Sequence, residues 1–270
     1  MSGVDIHERV TQAEFVTGLT PIVAVAVLTV VVDTVGRWAL TAAFGVGVRP
    51  LALLVVLATA AVGSRARWGL AVGLLGSGLL LSDWSGGVVI AIAAFAAATI
   101  CGRLGVGPRP QTEHHWWFVH VAVVAVLSTL TLGATAAWLS DTLGVATFSI
   151  VVARSVTTNA PLALLGTPAV MAVAAIGRRR GWTGAAHAEW LPTRRTLLAG
   201  VVLVVWTVGG YVGSFMYRAV GTIPLDTFAR RFGAVAVTVI RAGGPQGRFA
   251  VFGLGIVAIG ALFVIFGYRS

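Results

Sequence analysis

Lysine is missing from this sequence: its 19 basic residues are all arginine, set against 9 acidic ones. Charge of either sign is scarce, at 10% of the chain, where a water-soluble domain carries roughly 25%. So few charged side chains cannot cover a water-facing surface, which excludes an ordinary soluble domain. A single cysteine, Cys101, excludes an internal disulfide and any cysteine-based metal cluster. The opening residues, "MSGVDIHERVTQAE", lack the basic start and cleavage pattern of a signal peptide, so the first apolar run is expected to stay in the mature protein. Alternation of period two is also missing, which argues against an outer-membrane barrel. The lack of lysine reads first as a GC-rich coding bias. The net charge of +10 sits at the ends of apolar runs and in loops, where a cytoplasmic leaflet would attract it. With no soluble basic domain to carry it, nucleic-acid binding is not expected.

What is abundant is apolar. Hydrophobic residues make up 57% of the chain and mean hydropathy is +0.93. Runs of roughly 18 or more apolar residues, the length a bilayer demands, recur along it. The fold class expected is all-α: a polytopic transmembrane helix bundle of about eight spans, near 15–34, 38–63, 68–83, 86–102, 116–138, 160–177, 196–217 and 249–268. Trp68 and Trp84 bracket the third span, and Trp116, Trp117 and Trp138 the fifth, as indoles at the headgroup level would. The chain divides into a six-span membrane module (1–177), a basic loop (178–195) and a two-span C-terminal part (196–270).

Arginine placement sets an expected orientation. With Arg65 and Arg67 in the cytoplasm, alternation puts Arg103, Arg109, Arg178, Arg179, Arg180, Arg194 and Arg195 there too, and Asp33, Asp83 and Asp141 outside. Both termini come out cytoplasmic, in a multi-pass protein of the cell membrane. Arg218, Arg230, Arg231, Arg241 and Arg248 fall on the other side. Residues 225–241 offer a reason: Leu225, Phe228, Phe232, Val235 and Val239 form an apolar stripe at helical spacing, with Asp226, Arg230, Arg231, Thr238 and Arg241 away from it. That pattern predicts an amphipathic helix lying in the membrane interface and ended by Gly243, Gly244 and Pro245. A lid over the bundle, or a span count off by one, is the alternative.

Two stretches carry unusual polarity for such a chain. "VVARSVTTNAPLALLGTP", from Val151 to Pro168, holds an arginine, two threonines, an asparagine and two prolines. Asn159-Ala160-Pro161 is expected to break the chain, because a proline disfavours the α conformation before it. A new helix would then start at Pro161. The piece at 143–159 then reads as a re-entrant segment, or as an external loop with Arg154 snorkelling to headgroups. A helix starting there would offer unpaired N–H groups, with Thr157, Thr158 and Asn159 placed to hydrogen-bond a solute beside them, as at a transporter's solute site. In "VGVRPLALL", Arg49 and Pro50 fall mid-span, where an arginine costs roughly 2.5–3.5 kcal/mol on insertion scales. Either Arg49 faces a cavity or an acid, or a short helix at 38–47 precedes a span beginning at Pro50. Asp33, Asp83 and Asp141 are the acids available to Arg49 and Arg154. The candidate ligand-binding residues are therefore Arg49, Arg154, Thr157, Thr158, Asn159 and Asp141.

Chemistry is thinly signalled. His114, His115 and His120 lack the i, i+4 spacing that sets two imidazoles on one helix face, and no carboxylate or cysteine completes a ligand set. Ser85 in "SDWSGG" and Cys101 in "TICGRLG" lack the flanking residues of an intramembrane protease or a transpeptidase. No catalytic residue, metal site or cofactor is assigned. Small residues four apart, Ala94, Ala98 and Gly102 with the pair Ala93 and Ala97, mark close helix packing, as do Gly209, Gly213, Gly253, Gly255 and Gly260.

The helix start at Pro50, the small-residue run "GGVVIAIAAFAAATICGRL" with its basic end and the closing "TTNAPLALLGTPAVMAVA" give residues 15–177 a resemblance to two groups. One is the membrane-associated sensor family that precedes bacterial signalling domains. The other is the substrate-binding subunits of energy-coupling-factor vitamin transporters. The first span, "PIVAVAVLTVVV", lacks the Ala-x-x-x-Ala motif of those subunits. The polar breaks at 49–50 and 154–161 point to a solute-handling membrane protein, as transporter or substrate-binding transporter subunit, in the bilayer beside a partner membrane subunit or ATPase. The alternatives are a sensory module acting through a separate partner and a structural or assembly subunit.

The orientation is testable by labelling. In a Cys101→Ala background, cysteines at Ser64 and Gly181 should be shielded from impermeant thiol reagents in intact cells while one at Ser140 reacts. Reaction at Gly181 and not at Ser140 overturns it.

Overall fold

The computed structural model describes residues 3–44, 49–106, 114–179, 194–222, 229–230 and 233–267. Among these the chain is helical throughout, with no strand, and seven apolar runs are long enough to cross a membrane. The protein is a polytopic helix bundle. Its elements are α1 (Gly3–Phe44), α2 (Leu51–Val62), a 3₁₀ turn (Gly63–Arg65), α3 (Ala66–Leu80), α4 (Trp84–Leu104), α5 (His114–Thr142), α6 (Phe148–Leu165), α7 (Thr167–Arg179), α8 (Arg194–Thr222) and α9 (Ala234–Gly267).

α2 is the axis of the N-terminal bundle. It carries only apolar residues and one threonine, and it touches α1 and α3 to α7. A helix apolar on every side belongs in a core, and Ala52, Val55 and Val56 are fully buried there. Its 12 residues make it about 18 Å long, well short of a bilayer core. The run Leu51–Leu80 is not one straight span. At its middle Gly63 takes φ 69°, ψ −147°, a conformation open to glycine, and the chain doubles back. Arg49 before α2 thereby meets Asp83 after α3.

Glycines set the remaining contacts. Gly69 and Gly73 of α3 lie against Val25 and Thr29 of α1, so these helices run side by side in the same direction. Gly78 and Gly87 bring α3 and α4 so close that a Cβ on Gly78 would stand 2.7 Å from the Gly87 Cα. Ala93, Ala94, Ala97 and Ala98 of α4 are fully buried, as their spacing implied. Gly133 of α5 receives Ser155 and Val156 of α6. α8 and α9 form an antiparallel pair in which Gly209 meets Leu254 and Gly213 meets Val251. The pair joins the bundle where Phe148 lies on Gly210 and Trp138 on Gly255, with the Trp138 indole donating to Phe252 O at 3.2 Å. Gly253 and Gly260 face nothing. Val23, Val27, Val31 and Val35 of α1, with Ile256, Val257, Phe263 and Val264 of α9, are exposed and present apolar faces suited to lipid.

Three expectations need correction. Residues 38–44 continue α1 rather than opening a second span, so the helix after Pro50 is the short α2 alone. The chain does not break at Asn159: α6 runs through Pro161, and the side chains before the proline bond back onto their own helix. The interruption falls at Gly166, where one non-helical residue separates α6 from α7. Bonds from Gly166 N to Leu162 O (2.9 Å) and from Val170 N to Gly166 O (3.0 Å) carry the ladder across it. A glycine between Pro161 and Pro168 is a recognised cause of such a bend. Nor do Gly243, Gly244 and Pro245 stop a helix: α9 continues through them from Ala234. Of the interfacial helix 225–241, residues 225–228 and 231–232 lie outside the described residues, and 234–241 form the first two turns of α9.

The glycine contacts predict opposite outcomes for equally small substitutions. Gly78→Ala should lower the unfolding midpoint in detergent, since its Cβ would stand 2.7 Å from the Gly87 Cα and overpacking costs about 1–3 kcal/mol. Gly253→Ala, in open space, should be neutral or stabilising by up to about 1 kcal/mol through helix propensity. Equal effects would contradict the α3–α4 contact.

Candidate functional site

α2 begins inside the bundle, so its first N–H groups are cut off from water. Pro50, at the N-cap, has no N–H to satisfy. The N–H of Ala52 donates to Oδ1 of Asn159 on α6 at 3.1 Å, a fully buried bond spanning 107 residues of sequence. The other end of the same amide, Nδ2, donates to Ser155 O at 3.0 Å. Asn159 thus caps a helix to which it does not belong. In an apolar surrounding an unpaired peptide N–H costs several kcal/mol, which is why a buried helix start requires such a residue.

Beside this cap stands an ion-pair cluster. Arg49 Nη2 is 3.4 Å from Asp83 Oδ2, and its Nε is 4.0 Å from Asp33 Oδ1. Arg37, one turn above Asp33 on α1, places Nη2 3.4 Å from Asp33 Oδ2 and Nη1 3.9 Å from Asp83 Oδ2. Ser77 of α3 donates to Asp33 Oδ2 at 2.7 Å. The two guanidinium and two carboxylate groups balance. Their surroundings do not: the Asp33 side chain is wholly buried, while that of Asp83 is 41% exposed. Asp83 also caps α4, its Oδ1 accepting from Gly86 N at 3.1 Å. It is aimed by Ser82, whose φ of 53° is unusual for a residue other than glycine and turns the chain sharply between α3 and α4. An open groove of about 760 Å³, lined by Thr34, Val35, Arg37, Trp38, Ala42 and Leu81, lies against the α1 side of the cluster.

The six candidate residues occupy three places. Arg49 and Asn159 both serve the start of α2, Asn159 by bonding Ala52 N–H, and Asp33 and Asp83 are the acids that Arg49 finds. Arg154 is exposed on α6, above Thr157 and Thr158, whose hydroxyls donate to Ala153 O and Arg154 O at 2.7 Å each. Asp141 lies at the end of α5, accepting from the Tyr217 hydroxyl, with Arg248 Nη2 3.4 Å from its backbone carbonyl. Ser149 and Ser214 pair nearby at 3.2 Å. Sequence reasoning passed over Arg37 and Ser77. The signal for Arg37 was present in "DTVGR", because an acid and a base four apart share one helix face. Ser77 carries none. His120 is a structural residue: its Nε2 bonds Gly105 O at 2.9 Å, next to Trp117 Nε1 donating to Val106 O at 3.0 Å, and the two tie α5 to the end of α4.

Fold and site together define an integral, multi-pass helical membrane protein with a charge-balanced ion-pair cluster at a buried helix start. Compared with known proteins, the chain matches no family model, no curated protein and no solved structure.

The cap assigns Asn159 a load that its neighbours do not share. Asn159→Ala should lower stability in detergent by about 1–3 kcal/mol, because a buried donor loses its acceptor. Thr157→Val, at an exposed position, should stay within about 0.5 kcal/mol. Asn159→Ala matching Thr157→Val would contradict the cap.

Proposed function

We propose that the protein handles a small anionic solute, as a transporter or the substrate-binding subunit of one, at the cluster where α2 begins. The observation that carries this reading is the pairing of a fully buried acid, Asp33, with two arginines beside a helix start within a membrane-spanning bundle. Ionisable groups enclosed within a membrane helix bundle are expensive to bury and often mark solute or ion pathways. Interrupted helices beginning within the membrane serve the same purpose in transporters, their free N-terminal ends favouring anions. The asymmetry of the acids supports a mechanism. Asp33 is enclosed and holds Arg37 and Arg49 in place. Asp83, partly exposed and 3.4–3.9 Å from the same arginines, is the carboxylate that an incoming anion would displace.

A second reading has its own support. Two positive and two negative groups neutralise one another and tie α1 and the starts of α2 and α4 together, as a purely structural staple would.

A thermal-shift screen of small carboxylates and phosphates on the detergent-solubilised chain separates the two. A bound solute stabilises by about 2.7 kcal/mol at a hundredfold excess over its Kd. The solute reading expects a stabilising anion whose effect is lost in Arg49→Gln. The structural reading expects no stabilising anion and an unfolding midpoint that falls in Arg49→Gln and is largely restored in Arg49→Gln with Asp83→Asn. That second pair of results would overturn the solute site.

A further inference from the structure

We propose that the groove between α1 and the α3–α4 turn seats an anionic membrane phospholipid, its phosphate on Arg37 and an acyl chain along the apolar lining. The inference goes beyond the solute reading and does not depend on it.

Three features carry it. The first is position. The groove lies beside Trp38 and near Trp84, both more than half exposed, and exposed indoles settle at the headgroup level of a bilayer. Val35, Trp38 and Leu81 are exposed apolar side chains, so the opening faces lipid. The second is shape and chemistry. About 760 Å³ falls within the range of roughly 300–1,000 Å³ typical of small-molecule sites. Among the described lining residues, Val35, Trp38, Ala42 and Leu81 suit a hydrocarbon chain, and the one charged group is the Arg37 guanidinium.

The third feature is unused bonding capacity. Arg37 is held loosely, its contacts to Asp33 and Asp83 lying at 3.4–3.9 Å, where a charge-assisted hydrogen bond measures about 2.7–2.9 Å. Its Nε donates to Asp33 Oδ1 at 3.5 Å, but its Nη2, buried and 3.4 Å from Asp33 Oδ2, makes no hydrogen bond, and neither does the buried hydroxyl of Thr34 on the same lining. A guanidinium with spare N–H groups at the end of an apolar groove is complementary to an acid joined to an acyl chain. The sideways opening at headgroup depth selects a phospholipid already in the leaflet over a free acid arriving from water.

The test compares phosphatidylglycerol, phosphatidylcholine and oleate, the two lipids with matched acyl chains, added to the purified full chain in detergent. Retention is read by native mass spectrometry and stability by the unfolding midpoint. The proposal expects several-fold stronger retention of phosphatidylglycerol than of either other amphiphile, with an upward midpoint shift. Ala42→Trp, which fills the groove from an exposed position, should abolish that preference. So should the double variant Asp33→Asn with Arg37→Gln, which removes the guanidinium without leaving a buried charge alone. Equal retention of the two phospholipids by the unaltered chain overturns the proposal. So does a preference that survives Ala42→Trp, or oleate held as firmly as phosphatidylglycerol. The two sites share Arg37, and Ala42→Trp, which leaves the ion-pair cluster intact, is the arm that separates them: it should abolish the lipid preference and leave any solute-induced midpoint shift unchanged.

Discussion

A helix that begins inside an apolar bundle must find partners for the N–H groups of its first turn and for any charge that precedes it, because no water is there to supply them. α2 meets this constraint with residues drawn from across the chain. Asn159 of α6 takes the Ala52 N–H, and Asp33 of α1 and Asp83 at the head of α4 take the Arg49 guanidinium. Much of the N-terminal architecture follows. For Arg49 to reach Asp83 the run 51–80 must fold back at Gly63. For Asp33 to reach the same point α1 must lie along α3, which the glycine contacts at Gly69 and Gly73 permit. For Asn159 to reach Ala52, α6 must stay helical through the stretch where its proline would otherwise open it.

The cluster is stable as a set and fragile in its parts. Removing one partner of a buried ion pair costs about 3–5 kcal/mol, mainly because the other charge is then left alone. That cost is lowest for a group that water or a ligand can also reach, and in this cluster that group is Asp83. Evenness of charge makes the site a fastening, and unevenness of exposure makes Asp83 the group that the proposed anion would displace. The α8–α9 pair is attached differently, through the Ser149–Ser214 contact, the Tyr217–Asp141 hydrogen bond and Trp138 lying across Gly255. Arg248 of α9 also reaches the backbone carbonyl of Asp141 there, at 3.4 Å.

The helical, multi-pass class was legible from length, hydropathy and scarcity of charge, because a bilayer imposes run lengths that composition reveals directly. The small-residue packing of α4 was legible for a similar reason: four-residue spacing is a local signal. Partners far apart in sequence were not. Arg49 announced its need for an acid, and Asp33 and Asp83 were among the acids considered, but the choice between them and Asp141 depended on which helices become neighbours. Asn159 stood out as polar in an apolar stretch, yet its bond to Ala52 crosses 107 residues and leaves no periodic trace. The expected break at Asn159–Pro161 weighed the local preference of a proline above the packing of α6 between α5 and α2. The tertiary contacts prevailed, and the bend moved to Gly166. At Gly243–Pro245 the same local rule foretold an end where α9 continues.

The central claim is that residue 49 and residue 83 meet because the chain folds back between them. Replacing Arg49 and Asp83 together by cysteine, with Cys101→Ala, removes one charge of each sign and leaves Asp33 paired with Arg37. A bifunctional thiol reagent of about 10 Å reach should then join the two positions within a single chain in native membranes. If 51–80 were one straight helix its ends would stand about 45 Å apart at 1.5 Å per residue, and no such link would form. Efficient intramolecular cross-linking is the result the account predicts, and its absence, with both cysteines shown to be reactive, would contradict it.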